Sequence, residues 1–287
     1  MSKQMSESEL ILNPDGSVYH LHLLPSDIAE TIFLVGDPER VHEVSIHFDT
    51  IEVKKAHREF VTHTGTYQGS RFSVLSTGIG TDNIDIVLNE LNLLFNADLS
   101  ARKFYPKRKS IRLVRLGTSG TVNPEWKPGK VVLSKEAIGL DGLAWYYGFD
   151  SRSIAAHFSK MTNWSVLLAK PYVIEASSLL LNLFSSRFET STTLTCTGFY
   201  HPQGRSLESD SSLPITSETL LKAGIGNLEM ETSGIYLLAQ YFGFEALSVN
   251  ALLANRSTGE FHPNPASVVK EMIQSALDIM ATSDKAS

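Results

Sequence analysis

Five arginines stand where this sequence can hold an anion or the edge of a planar ring. Arg115 lies inside Ile111-Arg112-Leu113-Val114-Arg115-Leu116, a run that reads as a strand buried on both faces. A guanidinium cannot shed its proton and is costly to bury, so this one needs an anionic partner. The next residues, Gly117-Thr118-Ser119-Gly120-Thr121, read as a turn that supplies backbone N–H groups and three hydroxyls, and together the two stretches make a small anion site. The residues alone leave a second reading open, in which Arg115 pairs with a core carboxylate beside an ordinary glycine turn. Gly36-Asp37-Pro38-Glu39-Arg40 follows the β-branched run Thr31 to Val35 and opens a helix, which places N–H groups where an anion would sit, with Arg40 in reach. Arg58, in His57-Arg58-Glu59-Phe60, is either a further ligand or a solvated charge.

Gly198-Phe199-Tyr200-His201-Pro202-Gln203-Gly204-Arg205 puts an aromatic platform, an amide and a guanidinium on one loop. Such a set can stack on a planar base and hydrogen-bond its edge; a plain surface loop is the alternative. Asn227-Leu228-Glu229-Met230-Glu231 precedes a helical pattern, and its two carboxylates can hold sugar hydroxyls or simply complement the helix dipole. Arg256 follows an apolar strand from Ala246 to Leu253. His20 and His22 share one face of an extended Val18 to Leu23, and without a third ligand they suit a surface or interface better than a metal. Cys196, the single cysteine, reads as a buried structural thiol, and no basic neighbour is in view to activate it.

The elements that must position these groups alternate. Strand patterns at Thr31 to Val35, Ile51 to Lys55, Phe60 to Tyr67, Phe72 to Ser76, Lys130 to Leu133 and Thr192 to Thr197 are interleaved with helical spacing over Asp82 to Phe95, Tyr172 to Phe184 and Ala266 to Met280. That order predicts an α/β fold, and in an open α/β sheet the carboxyl ends of the strands form the ligand crevice. Strand ends near residues 36, 77, 117, 198 and 254 would bring the arginines, the aromatic loop and the carboxylates together. An arginine-lined anion position, a sugar site and a base site in one crevice are the parts of a nucleoside phosphorylase.

The composition agrees. A length of 287 residues suits one domain, 1–287, with residues 1–15 as a flexible tail. A net charge of −6 and a pI near 5.9 argue against a nucleic-acid surface, so the basic segment 98–110 reads as a solvated insertion. One cysteine fits a reducing compartment, and a polar start with no run of membrane-spanning length predicts a cytoplasmic protein with no membrane partner.

Across residues 18 to 260, VYHLHL, VGDPERV, AHREF, STGIG, VRLGTSG, FYHPQGR, NLEMETSGIY and ANRST stand in the order of the uridine phosphorylases, and the chain resembles that branch of the nucleoside phosphorylase superfamily. The resemblance implies an α/β domain whose mixed, twisted sheet is partly closed into a barrel and flanked by helices. It implies reversible phosphorolysis of uridine to uracil and ribose 1-phosphate for pyrimidine salvage, with phosphate as co-substrate and no cofactor. Gly36, Arg40, Arg115 and Thr118 would bind phosphate, joined by Arg58 from a neighbouring subunit. Phe199, Gln203, Arg205 and Arg256 would hold the base, and Glu229, Met230 and Glu231 the ribose, with His20 of the neighbour over the 5′-hydroxyl. Catalysis would rest on Arg205, Gln203 and Arg115, in a dimer-based homo-oligomer, a hexamer in that family. No metal is expected except a monovalent cation at Glu59, Ile79 and Asn83, where the family usually has serine in place of Asn83. Purine nucleoside phosphorylase, nucleosidase and a non-catalytic nucleoside-binding protein are the competing functions.

Overall fold

The computed structural model of the chain describes residues 4–149, 154–205, 208 and 215–286. In chain order its strands are β1 (Thr31–Val35), β2 (Thr50–His57), β3 (Phe60–Tyr67), β4 (Ser70–Ser76), β5 (Ala97–Asp98), β6 (Lys103–Phe104), β7 (Arg112–Thr121), β8 (Val131–Gly139), β9 (Tyr172–Glu175), β10 (Glu189–Thr195), β11 (Asn227–Glu229) and β12 (Glu245–Asn255). Its helices are α1 (Pro38–Ser45), α2 (Thr81–Asn96), α3 (Leu143–Tyr146), α4 (Ile154–Met161), α5 (Ser178–Phe184), α6 (Ser217–Lys222), α7 (Thr232–Phe242) and α8 (Pro265–Ala286).

One sheet runs β11-β10-β8-β12-β7-β1-β4-β3-β2, with β9 paired antiparallel to the second half of β8. β11 also pairs antiparallel with β7, Asn227 opposite Thr121, so β7, β12, β8, β10 and β11 close on themselves as a five-stranded barrel. The mixed, partly closed sheet that the resemblance implies is thus the fold observed. The strand pattern explains its layers. In β1, Ile32 and Leu34 point into the core beneath α2 and α7, while Phe33 and Val35 point into the core beneath α8. Period-2 alternation with both faces apolar is what a strand covered on both sides needs. Helix α2 buries Ile84, Val87, Leu88, Leu91 and Leu94, a 3.6-residue stripe, and truncating a fully buried leucine such as Leu88 would cost about 2 to 5 kcal/mol.

Four local expectations change. The turn expected from Gly117 is strand: β7 continues to Thr121 and pairs in parallel with β12 along its length. The glycine serves packing, because a Cβ at residue 117 would lie 1.7 Å from Nη1 of Arg115, whose side chain folds back across it. The single helix expected over Tyr172 to Phe184 is split, with β9 paired to β8 and α5 starting only after Ser177, whose Oγ caps Leu180 N–H. Val18 to Leu23 is a turn rather than extended, closed by Val18 N–H to Leu23 O and His22 N–H to Val18 O. The segment expected to be a flexible tail is tied down from Met5 onward: Met5 N–H reaches Arg102 O at 2.9 Å and Leu10 is buried in the core. The basic segment 98–110 carries the small β5–β6 ribbon, and most of its cations are solvent-exposed.

Candidate active site

A cavity of about 780 Å³ opens at the carboxyl ends of β1, β4, β11 and β12 and over the middle of β7. Gly36, Arg40, Arg115, Thr118, Phe199, Gln203, Arg205, Glu229, Met230 and Glu231 all line it, so ten sequence-predicted residues from four separate stretches meet in one place. Arg58, His20 and Arg256 do not line it.

Arg115 is 5% exposed, and its partners are the carboxylates that the bland reading of the sequence allowed for. Nη2 donates to Glu231 Oε2 at 2.5 Å and lies 3.2 Å from Glu229 Oε2, while Nη1 donates to Asn250 Oδ1 at 2.8 Å. Burial works against the charge, but Glu229 and Glu231 outweigh it and hold the guanidinium pKa above its usual value. The two acids differ. Glu229 accepts from Thr195 Oγ1 on one oxygen and from Glu231 N–H and Thr232 N–H on the other, which orients the β11–α7 junction. Glu231 accepts from Gly80 N–H and Arg115, one donor per oxygen, and so keeps a lone pair on each for a ligand hydroxyl. Burial, with Glu229 adding to it, pushes the Glu231 carboxyl pKa up against the pull of Arg115.

Arg40 projects from the first turn of α1, whose N-cap, Asp37, accepts Glu39 N–H at 2.9 Å. Pro38 has no N–H and the Glu39 and Arg40 N–H groups are both taken by Asp37, so the helix start brings the Arg40 side chain, rather than the free backbone donors expected from the sequence, beside Gly36 and Thr118 in the cavity lining. Nη1 of Arg40 donates to Leu116 O at 3.4 Å, and its buried Nε has no hydrogen-bond partner among the described residues. Burial holds its pKa below the usual arginine value, and the Arg115 charge adds to that although Glu43 opposes it. An anion at this spot would satisfy both demands.

At the other end, Gln203 is buried in a 3-10 turn, His201–Gln203, while Phe199 stays half-exposed. The Arg205 guanidinium lies 3.7 Å from the centre of the Phe199 ring and donates to Phe199 O and Gln203 Oε1. Arg256 sits behind it, donating to Gln203 O at 3.3 Å, with its stem against Gly120. No carboxylate among the described residues pairs with Arg205 or Arg256. Burial and then Arg256 push the Arg205 pKa down to about 10. Cys196 is buried as expected, and burial raises its thiol pKa far out of the reactive range.

His20 Nδ1 lies 2.7 Å from Glu90 Oε1, and the same carboxylate accepts the N–H groups of His20 and Leu21. Arg58 is exposed on the β2–β3 turn, 5.9 Å over the Tyr19 ring. Glu59, Ile79 and Asn83 line the cavity mouth, where the Asn83 amide packs over Gly78. Sequence reasoning missed Gly80, Thr195, Ser248 and Asn250, which orient Glu231, Glu229 and Arg115, and Phe261, which lines the mouth from the loop after β12. Only a polar residue inside an apolar run, as Asn250 is, offered a signal.

Residues 30–282 match the family model described as Phosphorylase superfamily, and the chain belongs to that superfamily. Within it, the chain is 31% identical over 265 residues to a uridine phosphorylase of Thermococcus kodakarensis, covering 91% of this chain and 86% of the relative. It is 28% identical over 251 residues to a DeoD-type purine nucleoside phosphorylase of Caldanaerobacter subterraneus subsp. tengcongensis, covering 84% and 89%. The solved structure of a Trypanosoma brucei nucleoside phosphorylase with uridine phosphorylase activity superposes with a TM-score of 0.85 at 25% identity, covering 96% of this chain and 99% of that one.

Proposed function

We propose that this chain is a uridine phosphorylase, cleaving uridine with phosphate to uracil and ribose 1-phosphate in the reverse-capable manner of its superfamily. The observation that carries the reading is the opposition of charge along the cavity: Arg205 beside Arg256 at one end, the Glu229–Glu231 pair with Arg115 in the middle, and Arg40 over a helix start at the other. Breaking the C1′–N1 bond sends its electron pair into the base and leaves positive charge on the ribosyl ring. Cations and an amide belong at the departing base and anions near C1′. The Gln203 amide can accept from uracil N3–H and donate to one carbonyl, with Arg205 on the other, so the leaving anion is stabilised without a dedicated acid.

Glu231 would hold ribose hydroxyls, Met230 would pack against the sugar, and Arg40, Thr118, Gly36 and Arg115 would hold phosphate beneath C1′. A phosphate oxygen then forms the new bond to C1′ as the old one breaks, and water returns a proton to the uracil anion. No step calls for a redox cofactor. A purine reading lacks an acid at the base: Asn255 donates to Asn123 O and Trp126 O and so belongs to the loop, and its neighbour is Arg256. The cavity lining carries four carboxylates, Asp37, Glu59, Glu229 and Glu231, against three guanidiniums. A dianion needs one more cation, which we assign to Arg58 of a neighbouring subunit, with His20, in a dimer-based hexamer of a cytoplasmic protein. Among the described residues no helix is long and apolar enough to cross a membrane.

The test is to incubate the protein with uridine, with and without phosphate, and follow uracil and ribose 1-phosphate. Phosphate-dependent release of both in equal amounts is expected; uracil release at the same rate without phosphate would overturn the reading in favour of a nucleosidase.

A further inference from the structure

We propose that Asn250 is a positioning residue for Arg115, fixing the side of the guanidinium that Glu229 and Glu231 do not reach. Asn250 is fully buried in β12 and stands opposite Gly117 in the parallel β7–β12 register, with Ser248 opposite Arg115. The Arg115 side chain folds over that same glycine, so its Nη1 arrives at the level of Asn250 and donates to Oδ1 at 2.8 Å and to Ser248 Oγ at 3.4 Å. The amide is itself held: Nδ2 donates to Ser134 Oγ at 2.9 Å and to Ser248 Oγ at 3.1 Å.

From there hydrogen bonds cross the barrel. Ser134 Oγ meets Thr193 Oγ1 at 2.5 Å, Thr193 donates to Asn227 Oδ1, and Asn227 Nδ2 donates to Ser119 Oγ, which returns to the cavity wall. On the other face of β12, Leu247, Val249 and Ala251 are ordinary core. An apolar side chain at 250 would fill the interior without the desolvation that an amide brings, so a fully satisfied polar chain ending on a site cation marks a purpose other than packing. A neutral acceptor also aims the guanidinium without adding negative charge to a group that already faces two carboxylates.

This deepens the phosphorylase reading and depends on it for the kinetic test only. Asn250→Leu keeps the branched outline and removes the acceptor; Asn250→Asp keeps the shape and adds a third carboxylate. In Asn250→Leu the KM for phosphate should rise about tenfold, as loss of a hydrogen bond to a charged group does, and by more than the KM for uridine, so that the ratio of the two changes. Asn250→Asp should raise the phosphate KM further. A purely structural role would lower Tm and leave the ratio of the two KM values alone. Crystal structures of the parent and Asn250→Leu read the same point without any reaction, since the guanidinium should leave its place beside Glu231. An unmoved guanidinium, or an unchanged phosphate KM in either folded variant, would overturn the proposal. Phosphate-independent uracil release by the parent protein would instead remove the phosphorylase reading, and the Arg115 position would still decide the role of Asn250.

Discussion

Replacing Arg58 by glycine separates a shared active site from a self-contained one. Arg58 sits on the β2–β3 turn at φ +54°, a left-handed conformation that costs a non-glycine residue about 1 kcal/mol or more. Its neighbour Glu59 lines the cavity while Arg58 is exposed, and β2, paired only to β3 among the described residues, is the edge of the sheet, so Arg58 stands at an open sheet edge. Arg58→Gly should therefore leave the fold as stable as before or more so. A lost charge-assisted hydrogen bond to phosphate is worth about 1.5 to 3 kcal/mol, so the phosphate KM should rise roughly 10- to 150-fold. The variant is then mixed with inactive Arg40→Gln protein, dissociated and reassembled. If each cavity takes Arg58 from its partner across a two-fold interface, half of the sites in each mixed dimer are intact, and recovery should approach about a quarter of parent activity. No recovery in verified mixed oligomers, or a phosphate KM unchanged by Arg58→Gly, would refute the shared site.

Base choice follows from donor counting: cytosine lacks N3–H and presents an amino group to the Gln203–Arg205 pair, leaving groups unpaired at about 1 to 3 kcal/mol each. Cytidine should be turned over at least tenfold less efficiently than uridine, and equal efficiencies for cytidine or inosine would contradict the assignment of that pair. Gly117→Ala places a Cβ 1.7 Å from Arg115 Nη1, so the guanidinium must leave its carboxylates, at about 3 kcal/mol or more for a broken buried pair; a melting curve and phosphate KM like the parent's would show that the side chain can relocate freely. Glu231, with its pKa raised above 4.5 mainly by burial, loses its charge on acidification before an exposed glutamate would, so the KM for uridine should climb in weak acid and stay flat in Glu231→Gln. The same sign means that the neutral carboxyl favours the fold below pH 4.5 and that this contribution is lost as pH rises through the folded value, which the pH dependence of Tm in the two proteins measures.

Where one physical cause dominated, the sequence was readable. The β1 strand was bounded correctly because five β-branched and apolar residues end at Gly36, and the α2 stripe because its apolar spacing has no competing period. The cavity residues were readable because each stretch carries a local oddity: a buried arginine, an acid pair, an aromatic beside an amide and a guanidinium. The errors share a different cause. Gly117 resembled a turn because glycine is needed both where φ is positive and where another group must lie against the backbone, and only the three-dimensional path of Arg115 says which. Barrel closure rests on the β7–β11 pairing, between residues more than a hundred apart, and no local pattern records it. Closure is also what makes Asn250 intelligible. In an open strand covered by helices, an asparagine between Val249 and Ala251 would be a flaw, whereas inside a closed barrel it has Ser134, Ser248 and Arg115 around it and every polar group is met. The positioning groups are therefore hidden from sequence for a specific reason. Their chemistry is neutral and ordinary, and it becomes functional only through neighbours that the closed sheet supplies.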